Sequence, residues 1–175
     1  MLTGKLVRLR PLEPSDAEAV WRWSSDPEVG RWMVNGYPES FAQVTKRFEE
    51  RPPNSYQRVS LGIEPLTEQR LIGAVRLRDA EPESGRAELD IEIGERDHWG
   101  HGYGTDAMRV ICRYGIETMR LHLIALWVVA DHVAARRVYQ KVGFVEDGRH
   151  RESFRRDGKW HDMILMSLLE GELRE

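Results

Sequence analysis

A single cysteine, Cys112, stands in 175 residues, which excludes an internal disulfide and argues against a metal centre built from thiolates. Cys112 falls in a helical pattern and reads as a small core residue. No apolar run approaches the roughly 20 residues that cross a bilayer, so no membrane partner is expected. Charge of one sign is also scarce: the net charge is -3, which gives no electrostatic reason to expect a nucleic-acid partner. Internal repeats, low-complexity tracts and linkers are missing too. The opening Met1-Leu2-Thr3-Gly4-Lys5 runs straight into a strand pattern and leaves no room for a signal peptide, which points to a cytoplasmic protein. With 41% hydrophobic and 31% charged residues, residues 1–175 are expected to form one domain with a sizeable core.

The apolar spacing predicts an ordered series of elements. Lys5–Arg10 reads as a first strand. A helix over Asp16–Ser25 is expected to be capped by Ser15, with Glu18 completing a capping box. A short helical piece runs from Asp26-Pro27 to Met33, then a turn at Asn35-Gly36-Tyr37-Pro38, then a helix over Phe41–Arg51. Three strands follow at Gln57–Ile63, Arg70–Asp79 and Arg86–Gly94, spaced closely enough for an antiparallel meander. Downstream lie a helix carrying Ala107, Met108, Ile111 and Cys112, and a buried strand at His122–Val129. A helix over Val133–Val142 started by Asp131 comes next, then strands at Val142–Glu152 and Lys159–Leu169. This order predicts an α+β fold: a mixed, mostly antiparallel sheet of about seven strands flanked by helices, with a splayed parallel pair at its centre.

The stretch Trp99-Gly100-His101-Gly102-Tyr103-Gly104-Thr105 places three glycines at alternate positions between a strand and a helix start. Bare backbone N–H groups and the positive end of a helix can there converge on phosphate oxygens. The spacing fits neither the dinucleotide-binding glycine pattern nor a Walker loop, which would end in Gly-Lys-Ser/Thr. A turn without a ligand is the plain alternative. The alternation of Glu88, Asp90 and Glu92 puts three carboxylates on one face of the preceding strand. A partly buried Glu92 could serve as a general base, and a merely polar face is the competing reading.

A second segment, Asp131-His132-Val133-Ala134-Ala135 through Tyr139, Lys141, Gly143 and Phe144, completes the picture. Together the two segments resemble motifs A and B of the Gcn5-related N-acetyltransferase superfamily, in the right order, and the resemblance covers nearly the whole chain. Leu9-Arg10-Pro11-Leu12, Trp99 through Gly104 and Gly158-Lys159-Trp160 resemble the branch that holds ribosomal-protein (RimJ/RimL-like) and spermidine acetyltransferases. Two positions depart from the family pattern: Trp99 stands where Gln or Arg is usual, and Asp131 where Asn is usual.

The resemblance implies transfer of an acetyl group from acetyl-CoA to a primary amine, either a protein N-terminus or a small molecule. It implies a pyrophosphate on the backbone of Gly100, His101, Gly102, Tyr103, Gly104 and Thr105, next to Trp99. It also implies a pantetheine arm between the strands, near Ile91, Ile93, Asp131 and Ala135, with a backbone N–H near Ile93 facing the thioester carbonyl. Tyr139 is then the general acid that protonates the departing sulfur, with a core tyrosine beside Val138 and Val142 as the plain alternative. Two histidines three apart, His98 and His101, make a weak metal pair, and no metal is expected. Trp21, Trp23, Asp26, Glu28, Trp32 and Tyr37, with Asp90, would line the acceptor side and suit a cationic or sugar-like amine. Core packing is the alternative for the tryptophans. Exposed edges near the last strand could pair two subunits. A module that binds an acyl-CoA without turning it over is the competing function.

Overall fold

The computed structural model describes residues 2–34 and 37–175. Met1, and Asn35 and Gly36 of the expected turn, lie outside the described residues. The elements are β1 (Leu2–Thr3), β2 (Val7–Pro11), α1 (Ala17–Ser24), α2 (Pro27–Gly30), α3 (Phe41–Glu49), β3 (Arg58–Pro65), β4 (Gly73–Glu81) and β5 (Arg86–Ile93). They continue with α4 (Tyr103–Glu117), β6 (Leu123–Val129), α5 (Val133–Val142), β7 (Val145–Arg156) and β8 (Lys159–Leu169). One eight-stranded sheet runs β1-β2-β3-β4-β5-β6-β8-β7, antiparallel except for the β5–β6 pair. The expected α+β sheet is therefore present, with a strand beyond the anticipated seven because Leu2–Thr3 pairs with Arg8 and Leu9.

Register sorts the side chains. On one face of β2 to β5, Val7, Leu9, Leu61, Ile63, Val75, Leu77 and Leu89 are buried with Met108, Ile111 and Cys112 of α4. The opposite face carries Arg8, Arg10, Glu64, Arg76, Arg78, Glu88, Asp90 and Glu92, since directly opposed residues share a face. A smaller apolar cluster of Ala17, Val44 and Phe48, with Leu12, Val20 and Trp21, joins α1 to α3.

Several local readings are corrected. Ser15 does not cap α1: a 3-10 turn, Pro14–Asp16, precedes it, and the reciprocal capping box joins Glu13 to Asp16. The carboxylate of Asp16 reaches back to the Glu13 N–H while holding Arg10, a long-range partner that no local spacing announces. The piece after Asp26 is helical only to Gly30, although Asp26 does cap it by accepting from the Glu28 N–H. Helix α3 stops at Glu49 and is capped by Ser40 with Gln43. Asp131 does not start α5, whose N-cap is His132. The last hairpin turns at Asp157-Gly158, as the sequence predicts, but β7 begins three residues later than expected.

Candidate functional site

Strands β5 and β6 pair only through Arg86–Glu88 and Leu123–Ala125. Beyond Glu88 and Ala125 they diverge, while β5 stays paired to β4 as far as Ile93 and β6 to β8 as far as Val129. The result is a wedge-shaped slot open at the carboxyl ends of two parallel strands. Gly94 donates to Ile72 on the β4 side. Because antiparallel residues alternate in direction, the N–H groups of Ile91 and Ile93 point to the β6 side, where no strand receives them. The carbonyl of Ile93 is engaged by the Trp99 indole N–H at 2.8 Å.

The glycine turn closes the mouth of this slot. Gly100 and Gly102 adopt φ of +79° and +85°, conformations that side chains disfavour. A Cβ on Gly100 would meet nothing within 4 Å, so the approach to its backbone is open. Gly102 is the N-cap of α4, and Asp106 donates to its carbonyl. Among the described residues, the N–H groups of Gly102, Tyr103, Gly104 and Thr105 find no acceptor. Four converging donors at the positive end of a helix suit a diphosphate. The turn is held rigidly: buried Asp106 accepts from the N–H groups of Lys5, Leu6 and Val7. His98 lies between Asp97 (2.8 Å) and Glu68 (2.6 Å), which ties the turn to the β3–β4 connection. His101 is exposed beside Tyr103.

Tyr139 lies on the inner side of α5, packed on the core and on Phe144. Its hydroxyl makes no hydrogen bond among the described residues. Burial, and then the negative charge of Asp90, push its pKa up to about 12, so the phenol stays protonated. Asp90 is itself held by Arg78 at 2.7 Å. Glu92, with a side chain 13% exposed, sits 3.5 Å from Arg76. Burial raises its pKa above the usual carboxylate range despite the opposing pull of Arg76. Tyr139 is close enough to feel the charge of Asp90, and Asp90 and Glu92 lie on β5, which borders the slot. Ala135, half-buried on α5, joins the packing around it.

Asp131 does more than the motif suggests. Its Oδ2 lies 2.5 Å from His161 Nδ1, thirty residues away on β8. Trp32 stacks on His132 and meets His161 edge-on at 5.3 Å. Arg156 donates to the Met33 carbonyl at 2.6 Å, fixing the chain after α2 over this corner. Trp32 therefore borders the cleft. Tyr37 is 96% exposed. Trp23 is buried, with its indole N–H on Glu95, and the half-buried Trp21 packs on Phe41. Sequence reasoning passed over Glu95, which binds Arg22, Arg70 and Trp23 and anchors α1 beside the turn. It also passed over Arg76 and Arg78, although their alternation opposite Glu88, Asp90 and Glu92 was visible. Among the described residues, no group of three or more His, Cys, Asp or Glu side chains is arranged to hold a metal ion.

Comparison with known proteins agrees with this geometry. The profile of the Acetyltransferase (GNAT) domain matches residues 7–145. YdaF of Bacillus subtilis, provisionally named a ribosomal N-acetyltransferase, is 29% identical over 171 residues, covering 95% of this chain and 92% of its own. The spermidine N(1)-acetyltransferase of Escherichia coli K12 is 26% identical over 170 residues, covering 97% and 89%. The fold matches that of spermidine N-acetyltransferase from Vibrio cholerae in complex with CoA and spermine, with a TM-score of 0.82, 24% identity, and 95% and 96% coverage. A splayed parallel pair, a glycine turn with free amides and a family match over most of its length lead to one conclusion: the chain belongs to the GNAT acetyltransferase family and carries an acetyl group from acetyl-CoA to an amine.

Proposed function

We propose that the slot holds the pantetheine arm against Ile91 and Ile93. The diphosphate lies on the amides of Gly100 to Thr105, and the acceptor is a primary amine on a protein N-terminus or a small molecule, entering from the face that carries Glu92. The observation that carries this reading is the coincidence of unpaired β5 amides with the four free N–H groups that open α4. Acetyl-CoA supplies the activated acyl group. The chain's residues supply the rest. The Ile93 N–H faces the carbonyl and can stabilise charge developing on its oxygen. The Tyr139 hydroxyl, held neutral by burial, donates to the sulfur as the carbon–sulfur bond breaks. Glu92 takes the proton of the incoming ammonium, and its raised pKa makes it a stronger base than an exposed carboxylate. Trp99, fixed by its bond to Ile93, walls the mouth, and Asp131 with His161 and Trp32 closes the far corner.

Placement in the RimJ/RimL-like branch, a cytoplasmic setting and pairing of two copies along the free β7 edge belong to the same proposal. Sedimentation tests the pairing. Calorimetry with CoA tests the site: Gly102→Val, which forces a β-branched residue into φ of +85°, should weaken binding by about tenfold or more. Unchanged affinity would remove the diphosphate from this turn.

A further inference from the structure

Most carboxylates that could hold a polycation on the acceptor side are already engaged. Arg8 and Arg10 take Glu64, and Arg10 grips Asp16 with two nitrogens at 2.7 and 2.8 Å. Arg78 holds both Glu88 and Asp90, at 2.8 and 2.7 Å. Glu95 is taken by Arg22 and Arg70, and Asp26 caps α2.

Guanidinium groups are the side chains left over. Arg51, just past α3, lies over the Phe48 ring with its central carbon 4.3 Å from the centroid. Its Nη1 is buried and bonds to nothing, and no ion pair reaches any of its nitrogens among the described residues. An orphaned guanidinium donor is costly, because burial removes water without supplying an acceptor. Burial depresses the pKa of Arg51, and so do three further cations nearby, Arg76, Arg58 and Arg47; Asp16 is the one acidic group pulling the other way. Arg47 reaches Glu39. The Arg58 side chain has no partner among the described residues, and Arg76 has only the 3.5 Å contact with Glu92.

Register places this cluster beside the reaction centre. Arg76 is opposite Asp90, one position pair from Glu92, and Arg58 is opposite Arg78 on the next strand. With strands about 4.8 Å apart, the guanidinium stems stand roughly 5 and 10 Å across the sheet from β5. That is the reach of a few bonds from an amine poised at Glu92.

We propose that Arg51, Arg58 and Arg76 form an anion subsite of the acceptor cleft, and that the preferred acceptor is a primary amine carrying a carboxylate or phosphate a few bonds from its nitrogen. The proposal rests on the acyl-transfer reading of the same cleft and deepens it. It separates this chain from its polyamine-named relatives, because a polycation would meet a cluster of arginines where it needs carboxylates.

The test titrates CoA-saturated protein with four probes in a calorimeter and follows thiol release with the same four in the presence of acetyl-CoA. The probes are a tripeptide with two aspartates after a free N-terminus, its dilysine counterpart, O-phosphoethanolamine and spermidine. The aspartate peptide and phosphoethanolamine arms distinguish a peptide source of the anion from a small phosphorylated amine. The expected result is binding and kcat/KM for at least one anionic probe about tenfold or more above dilysine peptide and spermidine, eroded by salt. Arg51→Met should remove most of that preference while CoA affinity stays unchanged. Arg58→Gln, at an exposed position that folding does not depend on, should reduce it severalfold. Spermidine or the dilysine peptide binding as well as the anionic probes would overturn the subsite, and so would a preference indifferent to both variants. Failure of CoA itself to bind would instead overturn the acyl-transfer reading, and the peptide titration without CoA would still report on the arginines.

Discussion

In the proposed reaction Tyr139 and Glu92 serve opposite sides of one chemical event, and their surroundings push both toward the protonated form for different reasons. The phenol is packed among apolar groups with Asp90 near it, so its ionised form is doubly disfavoured. Tyr139→Phe should lower kcat by about 10- to 1000-fold with little change in acetyl-CoA affinity, measured by steady-state kinetics beside calorimetry. A loss confined to KM would contradict the acid role. The carboxyl of Glu92 is raised by burial and held down in part by Arg76. Activity that needs the ionised base should therefore rise with pH through a value above the ordinary carboxylate range, and Glu92→Gln should flatten that limb of the kcat/KM profile. A limb that persists in the variant would give the proton to another group.

Elements hold these residues at the slot through a few buried contacts. The first turn of α4 is anchored by Asp106, whose two oxygens serve the N–H groups of Lys5, Leu6 and Val7. Asp106→Asn replaces one acceptor with a donor, and denaturant titration should show a loss of about 2–4 kcal/mol with an unchanged slope. Helix α1 meets the end of β5 where Gly94 lies under Trp23. A Cβ on Gly94 would come within 2.0 Å of the indole, so Gly94→Ala should cost about 1–3 kcal/mol and shift α1 away from the cleft. Stability unaltered by this change would mean that α1 is free to adjust. Much of this layer was legible beforehand. The glycine turn, α5 and the final hairpin follow from φ requirements and apolar spacing, which act over a few residues. The cap of α1 was not, because Asp16 answers to Arg10 across the chain rather than to its own turn.

At the scale of the whole molecule, one continuous sheet joins β1 to β7, and a single folding unit is expected. Unfolding followed by tryptophan fluorescence and by far-ultraviolet circular dichroism should accordingly give coincident transitions, as expected of one domain. Separated midpoints would place a boundary within the sheet. Among the described residues, no helix is long and apolar enough to cross a membrane. Trp21, Trp23 and Tyr37 lie near Trp32 in the chain, yet the fold buries Trp23, packs the half-buried Trp21 on Phe41 and leaves Tyr37 in solvent.

The amino-acid sequence by itself determined the order of strands and helices, the glycine turn and the pair of motifs that mark the family. Each of these depends on local backbone preference or on short-range periodicity. Only the tertiary structure decided which carboxylates remain available, that Asp131 meets His161, and that Arg76 meets Glu92 while Arg51 keeps a buried nitrogen with no acceptor. Ion pairing follows cross-strand register and burial, and these arise only when residues tens of positions apart are brought onto one face of the sheet.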